Sequence, residues 1–499
     1  MNILLRYNIM ARFPFGKDLL MLPRSREGTT PSPFALEALA RLPLAEAVLS
    51  LWSYVLQPGF LDDLFQRHRG RCYTDTLTFP AFVDLLADAL VRHRGSGRAS
   101  FRGAAEQGTL PTTPEAVYGK LRRVPVALSL GFLEDVTARL APLLPAGAGP
   151  HPLPVCLGGL TVVIGDGKTI KRVARRLLAA RGAAGKVYGG KLLVAYLPAC
   201  GLVTALTADR DGEVNEARLV PDLLPRAQAR IPGPRLWVLD RQFCDPVQAQ
   251  RLLAIGDHFV IRYHKKVHFV PDPARPARTL TDAQQREAVE EWGWLGAASN
   301  RLRCYVRRLT IRRAGQEAVA IVTDLLDGEA YPAPELLELY RGRWGIEQVF
   351  QQVTEVFELR QLIGSTPEAT VFQASFCLVL YNLIQVIRSY VAVSRARPLP
   401  VAEVSAEQLF RDAQEELTAL HKVVPSGEVV GCIPRQWTLG GVRERLRQLL
   451  GGVWKERWRK AANRKPRPHK PKAKGGNHTS VHRLQEAHAH KDRKDDPKT

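Results

Sequence analysis

Paired cysteines, uninterrupted apolar stretches and acidic residues are all scarce in this chain, and each shortage removes a class of function. The seven cysteines (Cys72, Cys156, Cys200, Cys244, Cys304, Cys377 and Cys432) stand singly. No CxxC pair is present to build a zinc ribbon or a redox motif, so they read as reduced core residues of a cytosolic protein. Arg6, Asn8 and Arg12 interrupt the opening MNILLRYNIMARF, which leaves no apolar run of signal-peptide length. The most hydrophobic window, residues 371–393, carries Gln373, Asn382, Gln385 and Arg388. Those side chains are costly in lipid, so a buried helix is expected there and no membrane span.

Acid is short relative to base: 49 Asp and Glu against 71 Lys and Arg leave a formal net charge of +22. An excess of this size creates a field that steers phosphate backbones to the surface and supplies salt-sensitive affinity. Charge alone does not separate a nucleic-acid binder from a generally basic protein. With 45% apolar and 24% charged residues the chain is globular in composition, and its 499 residues suggest roughly three units.

Apolar residues recur at helical spacing through residues 34–144, so an all-helical domain is expected over 1–150. Residues 96–108, rich in Gly, Ser and Arg, read as a connector. Thr113 and Pro114 read as N-cap and first-turn residue of a short basic helix whose Lys120, Arg122 and Arg123 either meet DNA phosphates or form a solvated face. After the Pro- and Gly-rich linker 145–154 the pattern turns to short strands: 160–164, 192–196, 202–206 and 236–239, with a helix over 214–229. Further strands at 259–263, 266–270, 302–312 and 319–323 read as a separate small sheet, a β-rich insertion of about 259–325 within an α/β domain over 151–395. A helical region, 396–453, and a disordered basic tail, 454–499, complete the reading. Trp454 and Trp458 in that tail could stack on nucleic acid.

Two aspartates stand at strand ends: Asp166 after TVVIG and Asp240 after LWVL. Taken singly, such residues are usually turn formers. Tyr340, Arg343, Glu347 and Thr354 follow at intervals of three, four and seven, which puts them on one face of a helix. Glu347 is then either the partner of Arg343 in a surface ion pair or the third member of a carboxylate pocket. Three such acids suit phosphodiester chemistry, in which two Mg²⁺ ions about 4 Å apart serve the nucleophile and the leaving oxygen. Asp166 would bridge both ions, Asp240 and Glu347 would bind one each, and Mn²⁺ would substitute. Tyr340, Arg343, Thr354, Lys168 and Arg241 are the candidates for contact with DNA. The acidic knot Asp209, Asp211 and Glu213 reads as a turn and helix cap, and Trp292 and Trp294 as sheet packing rather than base stacking.

Together, Asp166, Asp240 and the segment Tyr340-x2-Arg343-Trp344-x-Ile346-Glu347 resemble the insertion-sequence transposases with a DDE triad and a Tyr-Arg-Glu-Lys signature, the insertion sequence four group. The resemblance covers residues 155–393. It implies a ribonuclease-H-like mixed sheet flanked by helices, hydrolysis at the ends of a mobile element, and transfer of the freed 3′-OH into target DNA. The implied partners are terminal inverted repeats, target DNA and a second copy of the chain in a paired-end homodimer, in the cytoplasm at the nucleoid. Thr354 stands where the signature has Lys, with Arg360 or Lys168 as candidates to compensate. That departure also admits a rival, a transposase-derived protein that binds DNA without cutting it.

Overall fold

The computed structural model describes residues 30–495 apart from 73–75, 148, 150–151, 172, 282–286, 312–317, 396, 435 and 461–476. The opening stretch read above as lacking a leader lies outside these residues.

The strands in chain order are β1 (Thr161–Thr169), β2 (Lys186–Tyr188), β3 (Lys191–Leu197), β4 (Leu202–Asp209), β5 (Arg235–Leu239), β6 (His258–Arg262), β7 (Phe269–Pro271), β8 (Arg278–Thr281), β9 (Glu287–Leu295), β10 (Cys304–Ile311), β11 (Val319–Thr323) and β12 (His478–Ser480). One ten-stranded sheet runs β4-β3-β1-β5-β6-β11-β10-β9-β7, with β8 also on β9. In it β1, β5 and β6 are parallel neighbours, whereas β3 is antiparallel to both β1 and β4. The strands after Asp240 therefore do not form the separate sheet expected from the sequence. β11 pairs directly with β6, and β10 and β9 extend the same surface.

Both sides of the parallel strands are buried, which is why they read as continuous apolar runs. Val163, Trp237 and Phe259 face a core closed by the crossover helices Val220–Arg230 and Pro246–Ala254. Val162, Ile164, Val238 and Val260 face the opposite way, into a larger core shared with the long helix Pro367–Val393 and the N-terminal helices. The long helix is apolar enough to cross a membrane, but its most apolar window is entirely buried in the protein. Its polar residues explain that placement. Asn382 donates to Thr137 and to the Val203 carbonyl, both at 2.8 Å, and accepts from the Val203 amide at 3.0 Å. One buried amide thus ties β4 and the helix Val126–Leu140 to the same point with its hydrogen bonds satisfied.

Three local readings change. Residues 96–108 hold a helix, Gly97–Glu106, capped by the Ser96 hydroxyl; Gly97 is needed because a Cβ there would run into Ile363. β9 was not anticipated, since its acids break the apolar alternation; the buried Glu290 is neutralised by Arg307 of β10. The disordered tail is also corrected. Trp458 is fully buried and donates to Asp412 at 2.9 Å, so it is not free to stack on a base. Beyond residues 461–476, which lie outside the description, β12 pairs in parallel with β2 and leads into the helix Val481–Asp495. Arg483 reaches Asp211 and Glu213, each at 2.8 Å, anchoring this segment to the acidic knot.

Candidate active site

Strand register places the first two acids side by side. Paired residues between β1 and β5 end at Gly165 and Leu239, and between β5 and β6 at Leu239 and Ile261. The next positions are Asp166, Asp240 and Arg262, a row across three neighbouring parallel strands spaced by about 4.8 Å. By strand alternation the row shares the face of Ile164, Val238 and Val260, the side covered by the helices that follow the sheet.

The third acid arrives on those helices. Ala333–Gly342 and Trp344–Glu355 are two helices rather than the single one suggested by the spacing, joined at Arg343 by tight turns in which Arg343 N–H donates to Tyr340 and Ile346 N–H to Arg343. Arg343 keeps helical φ and ψ at this junction, and the residue is only 4% exposed. Its guanidinium lies 3.6 Å from Asp166 and 3.4 Å from Glu347, while the Tyr340 hydroxyl donates to Asp240 at 3.4 Å. The Arg343 Nε–H is buried without a partner.

The carboxylates therefore surround a guanidinium instead of converging on one another. Among the described residues no three His, Cys, Asp or Glu side chains form a group that could hold a metal ion. Burial, then the nearby Glu216 and Asp240 charges, push the Asp166 carboxyl up to about 7, against the opposing pull of Arg343. The donors nonetheless suit a small hard cation, because Mg²⁺ needs only one or two protein carboxylates and completes its shell with water and phosphate oxygens. Asp166 and Asp240 meet that requirement. Glu347, with a side chain 45% exposed, stands on the far side of Arg343.

Of the residues expected to meet DNA, Tyr340 and Arg343 reach the acids. Burial raises the Tyr340 phenol to about 12, so it remains a neutral donor. Lys168 shares the Asp166 face of β1 and lies over the Phe350 ring at 5.6 Å. Burial and Lys171 lower its pKa, partly offset by Asp166 and Glu355. Arg241 is exposed in the turn after Asp240. Thr354 is half-buried, and its hydroxyl donates back to the Phe350 carbonyl at 2.6 Å. Arg360 is paired with Glu358 at 3.3 Å. In the N-terminal helices Lys120 turns inward to the Leu77 carbonyl and over Phe65, leaving Arg122 and Arg123 on the exposed side. Trp292 donates to the Leu326 carbonyl at 3.0 Å, and Trp294 packs edge-on against Tyr305.

Two residues at this end of the sheet were missed in the sequence. Arg262 completes the row beside Asp240, and its only local signal is a basic residue closing an apolar run. Glu216 lies against Gly167, Lys191 and Gln242. Its signal is the glycine directly after Asp166.

Residues 158–383 match the family model described as "Transposase DDE domain", so the stretch from just before β1 to well inside the long apolar helix carries all three acids. In Sinorhizobium fredii, the protein described as "Putative transposase y4zB" is 28% identical over 81 residues. That match takes in 16% of this chain and 22% of the relative, so the chain spans about a fifth of the curated relative's length. A solved structure of the piggyBac transposase synaptic complex with hairpin DNA aligns over 80% of this chain and 75% of its own, at 11% identity. Its TM-score of 0.32 is too low to carry an argument.

Proposed function

We propose that this protein is a DNA transposase of the insertion sequence four group, a metal-dependent polynucleotidyl transferase that cuts the ends of its own element and transfers the 3′-OH into target DNA. The observation that carries the reading is the adjacent register of Asp166 and Asp240 beneath the helix pair bearing Tyr340, Arg343 and Glu347, inside the stretch matched by the transposase model. The order β4-β3-β1-β5-β6 with only β3 reversed supports a ribonuclease-H-like core.

Asp166 and Asp240, with Glu347 as third ligand, are the residues to hold Mg²⁺ or Mn²⁺. A bound pair of such ions supplies Lewis-acid charge for the nucleophile and the leaving oxygen. The remaining residues manage the phosphate. Arg343 has a buried N–H to spare, and Tyr340 presents a neutral O–H beside Asp240. Arg262, Lys168 and Arg241 spread positive charge around the acids. The DNA partners are the terminal inverted repeats and the target, bound by a homodimer in the cytoplasm, with Arg122 and Arg123 available to the repeat ends.

Incubating the protein with its element's end DNA and Mg²⁺ or Mn²⁺ tests this directly. Nicking by wild type, lost in Asp166→Ala and Glu347→Ala, is expected. One observation favours a DNA-binding protein without catalysis: Thr354 replaces the signature's lysine and spends its hydroxyl on its own helix. Tight end binding with no nicking by wild type is the outcome that selects that reading.

A further inference from the structure

Strand pairing between β1 and β5 stops at Gly165 and Leu239, one residue short of both aspartates. On that side the sheet's own hydrogen bonds no longer fix the two carboxylates, so their separation depends on whatever spans the gap. One side chain does. Glu216 begins a short 3-10 helix, Glu216–Leu219, capped by Asn215, whose side chain accepts from the Ala217 amide at 3.0 Å. From there the Glu216 carboxylate lies against Gly167, the residue after Asp166, where any Cβ would overlap it. It also accepts a hydrogen bond from Gln242, two residues beyond Asp240. Lys191 of β3, the neighbour of β1 on its other side, lies 3.3 Å away, and the two side chains are only 13% and 12% exposed.

We infer that Glu216 is a positioning residue of the same site: it braces β1 at Gly167 against the turn after Asp240 and so sets the distance between the strand-borne carboxylates. Lys191 compensates the charge, allowing a fourth acid at this end of the sheet. Gly167 belongs to the brace, because the residue after Asp166 must lack a side chain for Glu216 to reach the strand. The inference rests on the metal reading above.

The test is a Mn²⁺ titration of the full-length, DNA-free protein followed by electron paramagnetic resonance, with melting temperatures as the fold control. Glu216→Ala and Gly167→Ala should each weaken Mn²⁺ binding about tenfold, the usual scale for losing an outer-shell partner, at near-wild-type melting temperature. Glu216→Gln, which keeps the length and can still accept from Gln242, should bind Mn²⁺ within about threefold of wild type by the same reasoning. Unchanged affinity in Glu216→Ala overturns the brace. Equal losses in Glu216→Ala and Glu216→Gln overturn it too, since the charge rather than the hydrogen bond would then matter. Asp166→Ala separates the two levels of claim: if it binds Mn²⁺ as wild type does, the metal reading itself fails and the brace falls with it.

Discussion

The strand-borne acids and the helix-borne acid are held by different means. Asp166 and Asp240 take their adjacency from the register of buried parallel strands, which ends one residue before each, and their spacing from the Glu216 brace beyond it. Glu347 sits on an exposed helix face, tied to the site through Arg343. On the function proposed above, the strand pair would define where a cation binds and the third carboxylate would shift when Arg343 turns to a phosphate. Arg343, at the junction of the two helices, places its guanidinium between Asp166 and Glu347.

The largest expected effect tests the strand pair. Asp166→Ala or Asp240→Ala should lower end nicking by roughly three orders of magnitude, the equivalent of several kcal/mol of lost charge stabilisation, with DNA binding retained. Retained nicking in either variant breaks the contrast at its fixed side. Next comes pH. Because Asp166 titrates near 7 and metal binds the deprotonated form, Mn²⁺ affinity of wild type should rise between about pH 6 and 8 and flatten above. The sign follows from the raised pKa: below it the carboxyl carries a proton that the ion must displace. A calorimetric titration showing no pH dependence would place the ion elsewhere. Arg262→Ala should reduce the salt slope of end binding by about one, the signature of one lost phosphate contact, with little change in Mn²⁺ affinity. Smallest is Thr354→Lys, which adds a cation on the helix side and should tighten end binding by about fivefold at most, on the scale of an exposed charge pair. A filter-binding assay resolves both of these last effects.

How much was legible follows from the range of the physics involved. Asp166 and Asp240 stood out because each closes an apolar run, a local pattern, but β1 runs on to Thr169, so Asp166 lies within its strand and only Asp240 follows the end of one. The Tyr340, Arg343 and Glu347 spacing was equally local. That Arg262 lies beside Asp240 is a fact of register between β5 and β6, which no local pattern carries. Glu216 was hidden for the same reason, its partners being contributed by β1, β3 and the turn after Asp240. β9 escaped because a buried ion pair, Glu290 with Arg307, mimics a polar surface in the sequence. The tail misled through composition: Arg457 and Lys455 converge on Asp412 beneath the buried Trp458, so basic residues there serve packing as well as charge.

The most direct measurement replaces a proposed ligand oxygen with sulfur. Asp166→Cys and Asp240→Cys, assayed for nicking of end DNA, should be inactive with Mg²⁺ and regain activity with Mn²⁺, because a thiolate accepts the softer ion far better than the harder one. Nicking with Mg²⁺ at the wild-type rate in either variant would contradict the claim that this pair of aspartates holds the catalytic metal.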